Sequence, residues 1–215
     1  MVSRGKLITF EGVEGAGKTT QLARAAADLA ARGVDVVTAR EPGGTAVGEQ
    51  VRAILLSRDN AAMAPLAEVF LYLAARAQLV AEVVAPALAA GKFVLLDRYV
   101  HSTLAYQGYG LAVDLGGASP QENIAKLREL CRVAVGEAWP DLVIVLDVPP
   151  EEGFARLAGE APDRIEARDL SFHRRVREGF RALAAEEPER VVVVDAARSA
   201  GDVFSSLEPV LAGLI

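Results

Sequence analysis

Five short runs of β-branched and other apolar residues punctuate the chain: KLITF at 6–10, VDVVTA at 34–39, KFVLLD at 92–97, DLVIVLD at 141–147 and RVVVVD at 190–195. Each is followed by an alanine-rich or amphipathic segment of helical length. This alternation predicts an α/β fold built on a five-stranded parallel sheet. The unbroken apolar runs predict strands buried on both faces, under helices joined by right-handed crossovers. Ligands in such sheets bind beyond the carboxyl ends of the strands. The first four runs lead there into GVEGAGKTT, REPGGT, DRYVHS and DVPPE. The longest apolar stretch, Leu66 to Gly91, is interrupted by Glu68, Arg76, Glu82 and Pro86, which predicts a buried helix rather than a membrane span.

Composition narrows the choice. With 215 residues, 52% of them hydrophobic, the chain can bury one sizeable core, and residues 1–215 are expected to form a single domain without repeats or linkers. A net charge of −6 argues against a nucleic-acid polymer as partner, so any basic site has to be local. The single cysteine, Cys131, cannot form an internal disulfide, and the two histidines, His101 and His173, lie too far from it in sequence for a zinc motif. The opening MVSRGKLITFEG lacks the apolar core of a secretion signal. A reducing, cytoplasmic setting is expected.

Candidate chemistry begins in the first loop. Gly12, Gly17, Lys18 and Thr19 match the pattern glycine, four residues, glycine, lysine, then serine or threonine, and they stand between a strand and a helix. The glycines let successive amides curl around a phosphate and the helix presents its positive end to it. Lys18 reaches the outer phosphates, and the Thr19 hydroxyl suits magnesium. Switch GTPases, ATP-driven motors and small-molecule kinases all share such a loop. A guanine-reading Asn-Lys-x-Asp element is missing, since NIAKL at Asn123 has neither the spacing nor the acid.

Arginines at the other loops, Arg40, Arg52, Arg76 and Arg98, call for a second anionic ligand. Arg76 lies in the most apolar helix, where a guanidinium needs a partner. Either a salt bridge to Glu68 or Glu82 or a bound ligand would supply one. Tyr72, four residues earlier, shares its helix face, and an aromatic plate beside a fork of donors suits a nucleobase. Asp97 and Asp147 both end strands, where an acid can hold magnesium near a phosphate loop. Asp97 is favoured because Arg98 adjoins it.

FEGVEGAGKTTQ, REPGGT, FLYLAARAQL, DRYVHSTLAYQGYG, LDVPPE and DRIE together resemble the successive motifs of the bacterial thymidylate kinases, in that family's order and over nearly the whole chain. The resemblance implies a three-layer P-loop NTPase fold with a short lid. It also implies a homodimer that transfers the terminal phosphoryl group of ATP to dTMP with magnesium (Mg2+), giving dTDP, with no membrane partner. By similarity, Lys18 and the loop Gly12, Val13, Glu14, Gly15, Ala16, Gly17, Thr19 and Thr20 bind ATP, and Thr19 and Asp97 serve the metal. Arg98 bridges to the transferred phosphate. Glu14 and Glu41 face the acceptor and Arg52 holds its phosphate. Tyr72 stacks on thymine, Arg76 bonds a ring carbonyl, Thr103 and Gln107 contact the base, and Tyr106 crowds a ribose hydroxyl. A related kinase with another acceptor, or a nucleotide-binding module without activity, are the alternatives.

The acceptor oxygen is already ionised at neutral pH, so catalysis rests on alignment and charge stabilisation rather than on a strong base. Some members of the family carry an arginine inside the phosphate loop, where this chain has Gly15, and others supply it from a lid. Gly15 therefore directs attention to the lid segment 155–169 and to Arg156 and Arg164 as catalytic candidates, with Arg168 beside them. Leu157, Ala158 and Glu160 make this lid less basic than is usual, and Leu111 stands where the family's YQGxG is usually followed by arginine. FHRRVREGF, Phe172 to Phe180, is read as an amphipathic helix with Phe172, Val176 and Phe180 inward, which would leave His173 on the surface. His101 is read as a loop residue at the pocket or the surface, and Cys131 and Trp139 as packing.

Overall fold

A computed structural model of the chain describes residues 4–159 and 161–215. The β-branched runs form β1 (Leu7–Glu11), β2 (Val36–Arg40), β3 (Phe93–Asp97), β4 (Leu142–Asp147) and β5 (Val191–Asp195). They pair in the order β2-β3-β1-β4-β5, and every pair is parallel. β1 is central and buried throughout, Thr9 and Glu11 included, as a central parallel strand covered on both faces is. Phe10 stands opposite Asp97 of β3 and Ile144 of β4, so the strands that carry the phosphate loop and the metal candidate end side by side.

The helices are α1 (Lys18–Ala31), α2 (Ala46–Leu56), α3 (Pro65–Leu79), α4 (Ala85–Ala89), α5 (Val100–Thr103), α6 (Pro120–Val135), α7 (Pro150–Arg156), α8 (Leu170–Glu186) and α9 (Ala200–Ala212). Side-chain caps set four of the starts: Thr45, Ser119, Asp169 and Ser199 accept from the backbone N–H of Gly48, Glu122, Phe172 and Asp202. Phe10, Leu95, Leu96, Leu104, Leu127, Ile144 and Phe180 belong to one core cluster around the sheet.

The apolar stretch predicted as one helix runs through α3, a π-helical turn at Val80–Val84 and α4. By length and composition alone, Pro65–Ala89 could cross a membrane. Here α3 packs on α2 and α6. Its Glu68 and Arg76 are buried at 1% exposure each, while Leu66 and Phe70 stay exposed on its outer face.

Phe172, Val176 and Phe180 point into the core from α8 as predicted, but His173 is not on the surface: it is wholly buried. Its helix positions explain this, because Val176 and Phe180 lie three and seven residues further on and share its face. His101 is also wholly buried rather than at the pocket, tilted against Trp139 and with Nε2 3.7 Å from a Glu187 carboxylate oxygen. Cys131 is buried in the core and Trp139 is half-buried against it.

Candidate active site

The phosphate loop leaves the end of β1 and turns into α1 at Lys18. Gly12, Gly15 and Gly17 take φ values of 138°, 66° and 88°, a region that side-chain-bearing residues avoid. The side chains of Val13 and Ala16 are buried in the core beneath. Gly15 is fitted against α7: a Cβ there would lie 2.0 Å from the Gly153 carbonyl oxygen, and one on Gly153 would lie 2.2 Å from that of Glu14. The loop and α7 touch backbone to backbone, which leaves no room for an arginine at position 15.

Lys18 donates to the carbonyls of Val13 at 2.8 Å and Gly12 at 3.3 Å. Burial, helped by the charge of Arg98, pushes its ammonium down to about 8 against the pull of Asp97, Glu14 and Glu11. The Thr19 hydroxyl donates to Asp97 Oδ2 at 2.6 Å, and Thr19 and Thr20 are exposed at the head of α1. Asp147, the other strand-end acid, is bound by Arg177 and Arg181 at 2.7 and 2.8 Å.

Two adjoining clefts open over these strand ends. The first, of about 640 Å³ counting its open mouth, is lined by all nine residues expected to face an acceptor: Glu14, Glu41, Arg52, Tyr72, Arg76, Arg98, Thr103, Tyr106 and Gln107. The second, about 1090 Å³ on the same measure, takes in Gly15, Lys18, Thr19 and Asp97. Both are lined by Glu14, Glu41, Arg52, Arg98 and Glu166.

Arg76 finds its acid in neither Glu68 nor Glu82. Its Nε donates to Glu41 at 2.7 Å, Nη1 to Thr103 Oγ1 at 2.9 Å and to the more distant Cys131 Sγ, and Nη2 to the Tyr99 carbonyl at 2.9 Å. Of five N–H groups, one on Nη2 remains for a ligand. Burial pushes Glu41 up to about 7 even beside Arg76, consistent with a second carboxylate oxygen that is buried without a partner. Arg98 has a left-handed φ of 68°. Its guanidinium donates to the Gly12 carbonyl, Ser102 and Glu14 at 2.9, 3.2 and 3.1 Å, and lies 4.9 Å over the ring of Tyr106. Tyr106 donates to the same Glu14 oxygen at 2.6 Å. Burial would raise the pKa of Glu14. The contact with His173, the charges of Arg98 and Lys18 and the Tyr106 hydroxyl outweigh it and hold the carboxyl at about 2.

The family model for thymidylate kinase matches residues 10–207. The chain belongs to the thymidylate kinase family. It is 47% identical over 208 residues to the thymidylate kinase of Nitratidesulfovibrio vulgaris (strain Miyazaki F), covering 93% of each chain. With that of Solidesulfovibrio magneticus it shares 47% over 216 residues, 97% of this chain and 99% of the other. The crystal structure of thymidylate kinase from Ehrlichia chaffeensis superimposes with a TM-score of 0.76 at 31% identity, covering 97% of this chain and 99% of that one.

Against the expectations drawn from the thymidylate kinase motifs, the lid arginines divide. Arg156, at the end of α7, donates to the carbonyls of Gly15 at 3.3 Å and Ala196 at 2.9 Å, which places it at the phosphate loop. Arg164 is held elsewhere. It is only 6% exposed, with Nε on the Leu55 carbonyl at 2.6 Å and Nη1 on Glu68 at 2.7 Å. Glu68 also accepts from Arg168 at 2.8 Å and from Gln107 at 2.8 Å. Glu160, counted in the lid, lies outside the described residues. Leu111 borders a surface groove with Arg58, Arg164 and Arg168, apart from both clefts.

Sequence reasoning weighed Glu68 as a partner for Arg76 and missed its bond to Gln107 at the cleft, although Glu68, Tyr72 and Arg76 follow one another at intervals of four along a single helix face. It also overlooked Ser102, Asp163, Ile165 and Glu166 in the first cleft. Within DRIE, Arg164 alone is singled out by the sequence.

Proposed function

We propose that the second cleft receives ATP with magnesium, that the first receives dTMP, and that the phosphoryl group passes between them over the shared residues. As a thymidylate kinase, the protein phosphorylates dTMP to dTDP. The observation that carries the residue assignment is the overlap of the two clefts at Glu14, Glu41, Arg52 and Arg98, next to Lys18. Two nucleotides bound there would bring their phosphates together over Arg52, Arg98 and Lys18. Alignment of two anions in a cationic crevice is the main demand of this reaction.

Thr19 and Asp97 offer a hydroxyl and a carboxylate side by side, hard oxygen donors of the kind magnesium takes together with phosphate oxygens and water. When bound, the ion would neutralise charge on the donor phosphates. Among the described residues no group of three or more His, Cys, Asp or Glu could hold a metal, which fits an ion bound largely through the nucleotide. Lys18 and Arg98 supply fixed positive charge, and Arg156 is the lid arginine placed to add to it. Arg164 and Arg168 act at one remove, through Glu68 on Gln107. Tyr72, Arg76, Thr103 and Gln107 form the base end of the acceptor cleft, and Tyr106 with Glu14 its sugar side. Gly12 to Thr20 hold the donor phosphates.

The exposed Val47 and Ile54 of α2, Leu66 and Phe70 of α3 and Val133 of α6 support a homodimer closed through these helices. A cytoplasmic setting accords with the one buried, unpaired Cys131.

A coupled ADP-release assay tests the assignment. Lys18→Ala should abolish magnesium-dependent turnover. Arg156→Ala should lower kcat by about a hundredfold or more with both KM values within a few fold. Faster turnover with AMP, UMP or an unphosphorylated nucleoside than with dTMP would refute the acceptor assignment. Unchanged kcat in Arg156→Ala would refute its role.

A further inference from the structure

His173 is wholly buried in the first turn of α8, directly after the lid segment. Its ring stands edge-on to Phe154 of α7 and to Phe172, with centroids 4.8 and 5.0 Å away. Within these apolar walls it faces a carboxylate. Nδ1 lies 3.2 Å from Oε2 of Glu14, within ion-pair distance but outside hydrogen-bond geometry, and Nε2 has no hydrogen-bond partner among the described residues. Burying an imidazole in this way is costly if packing is its only task, because a leucine would fill much of the same space with no polar atoms.

The carboxylate it faces is the junction of the site. Oε1 of Glu14 accepts from the Tyr106 hydroxyl and from Arg98, both lining the acceptor cleft, whereas Oε2 faces His173 and has no hydrogen-bond partner among the described residues. The two oxygens are thus assigned to opposite sides: one to the cleft, the other to the helix that follows the lid. Rotating the carboxylate would take Oε1 away from Arg98 and Tyr106 together.

We infer that His173 is a positioning residue which, through Oε2, fixes the rotamer of Glu14 and thereby the placing of Arg98 and Tyr106 around the acceptor nucleotide. The inference rests on the reading of Glu14 as an acceptor-side group.

Three substitutions at one position test it, because they rank differently under the two possible roles. His173→Asn leaves an amide N–H donor near the place of Nδ1. His173→Gln carries its donor further out, toward Nε2, and His173→Leu fills the space without a donor. Positioning predicts that Asn stays within about threefold of wild type. Leu and Gln should raise the KM for dTMP about tenfold, the size of one polar contact to a buried charge, with the KM for ATP within about twofold. A packing role predicts the reverse order: Leu and Gln tolerated, and Asn, the smallest, losing thermal stability and activity together. That order overturns the inference, and the comparison of Asn with Gln decides it even if Leu fails to fold. Glu14→Gln separates the two levels of the argument. An unmoved dTMP KM there refutes the role of Glu14. A raised KM there with wild-type kinetics in His173→Gln refutes the role of His173 alone.

Discussion

Replacing Gly15 by alanine tests the contact between the phosphate loop and α7. The added methyl carbon would lie 2.0 Å from the Gly153 carbonyl oxygen, so one backbone has to retreat by about 1.4 Å to restore an ordinary contact of 3.4 Å. The left-handed φ of 66° adds about 1–2 kcal/mol for a residue with a side chain. Gly17 provides the control. Its φ is 88°, yet a Cβ there meets nothing within 4 Å, so Gly17→Ala carries the backbone cost without the collision. Overpacking against a backbone costs about a further 1–3 kcal/mol. Urea unfolding of the nucleotide-free proteins should therefore show a loss of about 1–2 kcal/mol for Gly17→Ala and about 2–5 kcal/mol for Gly15→Ala. A shift of this size at the phosphate loop should also lower kcat by about a hundredfold in the ADP-release assay. Equal stability losses in the two variants, with turnover of Gly15→Ala undiminished, would refute the coupling of the loop to α7.

Three more outcomes follow from the site. Glu68→Gln removes an acid shared by Arg164 and Arg168 and the anchor of Gln107, so thermal or urea unfolding should show a loss of about 3–5 kcal/mol, accompanied by a higher KM for dTMP. A neutral result would mean that the two arginines are solvated rather than buried on Glu68. Glu14, held at about 2 instead of its usual 4.5, contributes stability above pH 4.5 that disappears as pH falls through 4.5 toward 2. The stability advantage of wild type over Glu14→Gln should therefore shrink by about 3 kcal/mol between pH 5 and pH 2; identical pH slopes in urea titrations would contradict it. If the proposed homodimer closes through α3, Phe70→Asp should shift sedimentation toward the monomer while leaving the fold, monitored by circular dichroism, intact, and unchanged sedimentation would refute that interface.

The strands, their parallel pairing and the phosphate loop were legible because each is written in local sequence: apolar runs of strand length, and glycines where φ must be positive. The convergence of Arg52, Arg76 and Arg98 on one cleft was foreseeable from an excess of cations at the loops, and that of Tyr72 from its place one turn before Arg76; Arg40, named with the other arginines, pairs with Glu49 and lines the second cleft instead. Partnerships were harder. Arg76 pairs with Glu41, 35 positions away and on another element, rather than with a glutamate of its own helix. Such a choice depends on how β2 and α3 meet, which no periodicity encodes. Arg164 looked like free lid charge because its acid, Glu68, lies about a hundred residues earlier. His173 was a different kind of miss. The spacing that placed Val176 and Phe180 inward also placed His173 inward, but its polarity was allowed to outweigh its position.

Arg98 has a wider meaning for engineering. Its backbone occupies the left-handed region that only glycine enters without strain, so a search for stabilising substitutions would nominate Arg98→Gly. The same change deletes the guanidinium that links Gly12, Ser102 and Glu14. Stability design applied to this enzyme without regard to chemistry would thus start by removing a side chain that lines both clefts. With the proposed role of Arg98, local strain at that position marks where selection for turnover has prevailed over selection for a more stable fold.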